Sequence, residues 1–362
     1  MKCYNVEIIM GKFFNEAEIL KIRKGYYSAQ YFNRTKHILL EEGNVQPVTM
    51  QVFQRTEGAT LCGVSEVLEL LRIGTGYFKD GIWKDHYKQL EIFSLSDGAA
   101  LHTGETVMHI RGPYAYFAHL ESLYLGILAR RTAVATRVRQ SVAAANGKSV
   151  LFFADRFDYF MNQEGDGYAA HIGGATSVAT EAQAFLWNGQ AVGTIPHAFI
   201  AMNNRDTVAA AQLFSKHYPN VPLIALVDFD NDCIRTSLSV ARALGKKLYG
   251  VRVDTSANMK DVSVANMKGD VLGVNPTLIK LLRKALDENG YSWVKIIVSG
   301  GFDNDRIAYF ERKKTPVDTY GVGAWFVQGA NIFTADIVQV KNNPIAKVGR
   351  GYKENPRLQK RQ

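Results

Sequence analysis

Val298–Asp303 reads VSGGFD, and Tyr320–Phe326 reads YGVGAWF. Each starts as a short apolar run and breaks into glycine. A run that is apolar on both faces is the mark of a parallel strand covered on both sides. Glycine directly after it lets backbone N–H groups come close to an anion. Reading outward, Val294–Ser299 and Val317–Gly321 are the runs that lead into these turns. Five more lie upstream: Leu248–Asp254, Leu223–Asp228, Ala191–Thr194, Ala169–Ile172 and Ser149–Ala154. Helical stretches separate them. Asn204–Lys216 is one, Cys233–Lys246 follows a capping Asn231-Asp232, and Pro276–Leu286 carries proline in its first turn. The alternation predicts an α/β fold, either a β/α barrel one strand short of eight or a doubly wound sheet. In both, the site lies at the carboxyl ends of the strands.

Residues 1–115 lack that rhythm. Short strand-like runs (Val48–Phe53, Thr106–Ile110) mix with helical ones (Asn15–Lys24, Gly63–Arg72, Asp85–Phe93), which predicts a separate α+β layer. A last strand-like run, Ala335–Lys341, is expected to pack back on that layer.

The chain has 362 residues, 47% of them hydrophobic and 21% charged, enough for a substantial core. No run reaches the ~18 apolar residues of a membrane span, and MKCYNVEIIMGKFF does not read as a signal peptide. Cys3, Cys62 and Cys233 stand far apart, which excludes a disulfide scaffold and a cysteine zinc site and predicts a cytoplasmic protein. Of the net charge of +9, five charges sit in KVGRGYKENPRLQKRQ, with six basic residues against one acidic. Such a tail is expected to be a solvated terminus, and nucleic acid is not an expected partner.

The strand ends hold the chemistry. Two adjacent glycine turns, Ser299-Gly300-Gly301 and Gly321-Val322-Gly323, form a phosphate site of the kind β/α barrels carry. Asp228 and Asp254 end neighbouring strands. Arg252, two residues before Asp254, shares its face. Such carboxylates suit ribose hydroxyls, Mg²⁺ or a developing cation. GTIPHAF places Thr194 and His197 past another strand, FADRF places Arg156 past the first, and HIGGATS offers Gly173 and Gly174. There is no GxSxG elbow and no evident thiol nucleophile, so phosphate and sugar chemistry fits better than acyl transfer.

The ordered set GPY, a Glu before an apolar helix, IGG, GTIPHAF, LVDFDND, GVRVDTS, VSGGFD and GVG resembles nicotinate phosphoribosyltransferase, a type II phosphoribosyltransferase. The shorter, archaeal-like branch is the nearest, and the match runs from about Tyr27 to Lys347. The resemblance implies an irregular seven-stranded β/α barrel over 116–330. It also implies an N-terminal α/β sandwich domain over 1–115, completed by C-terminal strands and a basic tail over 331–362. It implies that His197 is the histidine phosphorylated by ATP, that Ser299, Gly300, Gly301, Gly321 and Gly323 hold the 5-phosphate, and that Arg252, Asp254 and Asp228 serve ribose and pyrophosphate. Tyr31 is the aromatic expected to stack on the pyridine, contributed by a partner subunit. Arg156 and Thr194 are expected near nicotinate. Ala29 stands where the family often has Asp, and Phe157 where it often has a second Arg.

The expected reaction is phosphoribosyl transfer to nicotinate in NAD biosynthesis, with phosphoribosyl pyrophosphate as donor, Mg²⁺ required and ATP as co-substrate. The enzyme is expected to be a homodimer or a multiple of one, with no metal ligated by the protein alone. Quinolinate or nicotinamide as acceptor stays open, and so does a non-catalytic phosphometabolite-binding protein.

Overall fold

The apolar run Lys295–Val298 has Ile296, Ile297 and Val298 all buried, as a strand covered on both faces must be. The computed structural model describes residues 13–362 and places this strand within a parallel sheet; Cys3 lies outside the described residues. Its six strands in chain order are β1 (Ser149–Phe152), β2 (Ser177–Val178), β3 (Leu223–Leu226), β4 (Leu248–Val253), β5 (Lys295–Val298) and β6 (Thr319–Val322). They lie side by side as β3-β4-β5-β6-β1-β2, every pair parallel. The segment 190–195 joins the two edges. Val192 N–H donates to the Val178 carbonyl at 2.8 Å, and Ile195 N–H to the Ile224 carbonyl at 3.4 Å. The sheet therefore curls into a barrel with a seventh, irregular stave, and the doubly wound alternative does not apply.

Helices cover the outside with the expected signals. Asp206 caps Thr207–His217, Asp232 caps Cys233–Leu244, and Asn275 caps Pro276–Glu288 with proline in its first turn. Two expected strands are corrected. Ala169–Ile172 belongs to the helix Gln163–Gly173, which ends where Gly174 turns left-handed at φ 101°. Gly173 and Gly174 are therefore a helix terminus. Ala191–Thr194 forms a single bridge, Val178 to Ala191, within the irregular stave.

The chain divides into two compact units, Arg137–Gln328 and Met1–Thr136 with Gly329–Gln362. The division falls inside the long helix Glu121–Ala144. The other unit is built on a six-stranded antiparallel sheet. Its order is Asn343–Pro344, Phe333–Val340, Pro47–Gln54, Thr106–Pro113, Glu91–Ser94, Gln359–Lys360. C-terminal strands thus form both edges. Asp85–Phe93, expected as a helix, is a short 3₁₀ turn (Tyr87–Gln89) between strand residues. Along the central strand, Val48, Met50 and Val52 enter a core with Leu70, Ile92 and Phe117.

The alternate residues Thr49 and Gln51 are polar yet buried, because other strands and the tail partner them. Thr49 Oγ1 donates to Gln339 at 2.9 Å. Gln51 donates to the Gly351 carbonyl at 3.1 Å and accepts from Lys353 N–H at 2.8 Å. Tyr352 stacks on His109, ring centroids 4.9 Å apart. Arg350 pairs with Asp336 and Arg357 with Glu105, each at 2.7 Å. The tail exposes most of its residues, and Arg350 and Arg357 also tie it to the sandwich, where the second face of the sheet is polar and needs partners.

Candidate active site

β4 ends with alternate residues on one side. Val251 and Val253 are fully buried, and Arg252 and Asp254 reach the barrel mouth. Arg252 donates from all three nitrogens: Nε to Ser299 Oγ at 2.7 Å, Nη1 to Thr194 Oγ1 at 3.2 Å, and Nη2 to Asp254 Oδ2 at 3.0 Å. Ser299 Oγ donates to Asp254 Oδ1 at 2.7 Å, closing a cycle. The guanidinium lies 5.3 Å from the Phe153 ring centre. That ring can lie there because Gly321 has no side chain: a Cβ on Gly321 would meet it at 2.7 Å. Four of the residues chosen from sequence, Arg252, Asp254, Ser299 and Thr194, form one network.

His197 begins the helix His197–Met202 behind an extended Pro196. Its Nε2 lies 3.2 Å from Asp228 Oδ1, past β3. The Asp228 carboxyl is pushed above its ordinary range, first by burial and further by the charge of Asp254, with His197 opposing the shift. The two carboxylates thus feel each other. Among the described residues, no three His, Cys, Asp or Glu converge as a metal cage.

The turn after β5 has two consecutive left-handed residues, Gly300 at φ 90° and Gly301 at φ 71°. It rests on the network, since a Cβ on Gly300 would lie 3.2 Å from Asp254 Oδ1. Behind it is a residue that sequence reading missed. Arg306 Nη1 donates to the Gly300 carbonyl at 2.7 Å and the Gly301 carbonyl at 3.0 Å, and Nη2 donates to the Val274 carbonyl at 2.7 Å. The available signal was spacing: Asp303 caps the helix Asn304–Arg312 and accepts from Arg306 N–H at 2.8 Å. The N–H groups of Gly300, Gly301, Phe302 and Gly323 have no acceptor among the described residues.

Arg156 is exposed past β1, 5.7 Å from the Phe157 ring centre, with no carboxylate partner among the described residues. Phe157 packs on Gly323, where a Cβ would meet its ring at 2.4 Å. Tyr31 belongs to the other unit. It lies on the helix Gln30–Glu41, which buries none of its residues, and its ring is 63% exposed.

A quinolinate phosphoribosyl transferase N-terminal domain model matches residues 30–132. A nicotinate-nucleotide pyrophosphorylase from Pyrococcus furiosus, known as a crystal structure, is 31% identical. The match covers 98% of this chain and 82% of that one, with a TM-score of 0.78. The chain belongs to the nicotinate phosphoribosyltransferase family. A nicotinate phosphoribosyltransferase of Mycobacterium tuberculosis is 27% identical over 275 residues, covering 74% of this chain. The match spans 57% of that relative's length. The human nicotinic acid phosphoribosyltransferase shares the fold of the family at 15% identity and a TM-score of 0.68, covering 88% of this chain and 75% of its own. No helix among the described residues is long and apolar enough to cross a membrane.

Proposed function

We propose that this chain transfers phosphoribose from phosphoribosyl pyrophosphate to the ring nitrogen of nicotinate in NAD biosynthesis. The products are nicotinate mononucleotide and pyrophosphate. The observation that carries this reading is the Arg252–Asp254–Ser299 cycle beside a turn of unpaired amides. The pyridine nitrogen supplies the electron pair of the new C1–N bond. The C1–O bond breaks, and its pair leaves with pyrophosphate. No proton is transferred, so no general base is required. What the reaction needs is negative charge near an oxocarbenium-like ribose and donors for a phosphate. Asp254 and Asp228 supply the first, and the Gly300, Gly301 and Gly323 amides supply the second.

Arg156, with no carboxylate partner among the described residues, suits a carboxylate, and one such cation suits a monocarboxylate better than quinolinate. Phe157 fills the position where a second arginine would have served a second carboxylate. The names of the bacterial and Pyrococcus relatives describe one bond from opposite directions, its formation and its pyrophosphorolysis.

Asp228 and Asp254 would hold Mg²⁺ together with substrate phosphates, since two carboxylates fit a cation whose other ligands come from substrate and water. Bound there, Mg²⁺ supplies charge to the leaving pyrophosphate. For ATP coupling, Nε2–H of His197 donates to Asp228, which leaves Nδ1 free to attack the γ-phosphorus. The bridging P–O bond to ADP breaks, and the Nε2 proton stays shared with Asp228. Tyr31, on a helix with no buried residue, supports assembly as a homodimer in which a partner's Tyr31 covers the pyridine.

The test is incubation with phosphoribosyl pyrophosphate and Mg²⁺ plus nicotinate, nicotinamide or quinolinate, with and without ATP, followed by separation of products. Nicotinate mononucleotide from nicotinate is expected, faster with ATP. Turnover of quinolinate with release of CO₂ would move the assignment to that acceptor. Binding of phosphoribosyl pyrophosphate with no product from any acceptor would leave a non-catalytic binding protein.

A further inference from the structure

The turn Gly300-Gly301-Phe302 is held from one side. The carbonyls of Gly300 and Gly301 both point at Nη1 of Arg306, at 2.7 and 3.0 Å. A trans peptide is planar, with its C=O and N–H antiparallel. Fixing the Gly300 carbonyl therefore aims the Gly301 N–H the opposite way, and fixing the Gly301 carbonyl does the same for the Phe302 N–H. Those are two of the amides that have no acceptor among the described residues. Nη2 of the same guanidinium takes the Val274 carbonyl at 2.7 Å, and the guanidinium lies 4.5 Å from the Phe302 ring centre. Val274 directly precedes Asn275, which caps the helix Pro276–Glu288. One planar group thus braces the turn against a neighbouring helix start and leaves a fixed positive charge on its carbonyl side.

We propose that Arg306 is the positioning residue of the anion site. By holding three carbonyls it presents the Gly301 and Phe302 amides as a preformed cradle for the phosphate of phosphoribosyl pyrophosphate. The phosphate's identity rests on the proposed function; the cradle itself does not. Two consecutive left-handed glycines are otherwise free to flip their peptide planes, and a flipped plane offers an anion a carbonyl oxygen. A lysine retains the positive charge without the fork that reaches three carbonyls.

The test uses the full chain, ¹⁵N-labelled, as wild type and Arg306→Lys, titrated first with inorganic phosphate and then with phosphoribosyl pyrophosphate. In the wild type, the Gly301 and Phe302 amide resonances are expected to shift with phosphate. In Arg306→Lys, phosphoribosyl pyrophosphate affinity is expected to fall roughly 10- to 100-fold, the loss of charge-assisted hydrogen bonds, with kcat at saturating donor nearly retained. Wild-type resonances of Gly301 and Phe302 that stay put with both ligands overturn the proposal, even where the variant fails to fold. An Arg306→Lys protein that binds donor as tightly as wild type also overturns it. Shifts with phosphate but not with phosphoribosyl pyrophosphate keep the cradle and sink the enzymatic reading instead.

Discussion

Gly301 sits at φ 71°, and a Cβ built there meets only Arg306 Nη1, at 3.4 Å. Aspartate tolerates this left-handed region better than most residues. Gly301→Asp is therefore expected to fold, with a Tm within a few degrees of wild type, and to lose phosphoribosyl pyrophosphate binding in calorimetry. Normal binding would refute the phosphate assignment of this turn. Gly323 differs, since a Cβ there meets the Phe157 ring at 2.4 Å and the Phe153 carbonyl at 2.9 Å. A carboxylate at Gly323 must displace packing as well as an anion. Lys36 presents another problem at this scale. Its Nζ donates to the Gly76 carbonyl at 2.6 Å and lies 3.1 Å from Nδ1 of His119, with no carboxylate partner among the described residues. Burial lowers its pKa from 10.5 to about 7. Burial, then Lys36, also holds His119 well below its usual value, so the imidazole is neutral. Between those two pH values the unfolded chain keeps a proton on Lys36 that the folded chain has lost. Stability therefore rises with pH across that window, by up to ~1.4 kcal/mol per pH unit from this proton. Lys36→Met is expected to remove that rise, read from urea midpoints at about pH 7 and about pH 10. Parallel pH dependence in the two proteins would show that Lys36 titrates normally.

The short helix His197–Met202 brings His197 to Asp228, and here a contact between elements sets a titration. Among the influences on Asp228, His197 opposes burial and Asp254. Removing the imidazole should let Asp228 hold its proton to higher pH. For His197→Ala, the acid limb of kcat/KM is expected to move upward in pH and ATP stimulation to vanish. An unmoved acid limb would separate Asp228 from the ionisation that limits the rate. What sequence could show is clearest among these elements. β3 to β6 are short apolar runs, each leading into glycine or aspartate, and such runs are legible because both their faces are buried. Arg252 and Asp254 were legible as a pair because alternation in a strand is strict. Ala169–Ile172 was not, because four small apolar residues fit a buried helix turn as well as a strand. The stave 190–195 was half-legible: apolar enough for a barrel wall, but paired through so few hydrogen bonds that it never becomes a regular strand. Arg306 left only its spacing from the capping Asp303 as a trace, and none of its partners, because those are carbonyls, which every residue carries.

Over the whole molecule, the pinned tail decides how the sandwich unit is finished. Gln51 and His109 are buried polar residues of central strands, and residues 351–353 cover them. A chain stopped after Lys341 would leave them uncovered and remove the edge strand Gln359–Lys360 and the Arg357–Glu105 pair. The expected result is loss of hydrogen-exchange protection along Pro47–Gln54, with protection along Lys295–Val298 retained. Unchanged protection at Met50 and Val52 would make the tail a passenger. The strand order also has a consequence for how the chain is born. On the ribosome, Pro47–Gln54, Glu91–Ser94 and Thr106–Pro113 emerge long before the C-terminal strands that flank this trio, and the entire barrel is translated in between. Proteins made vectorially tend to fold from the N-terminus, but here the first-born sheet must wait with its polar face bare. The barrel, whose strands are contiguous in the chain, can fold first, and by folding it shortens the loop that the late strands must close.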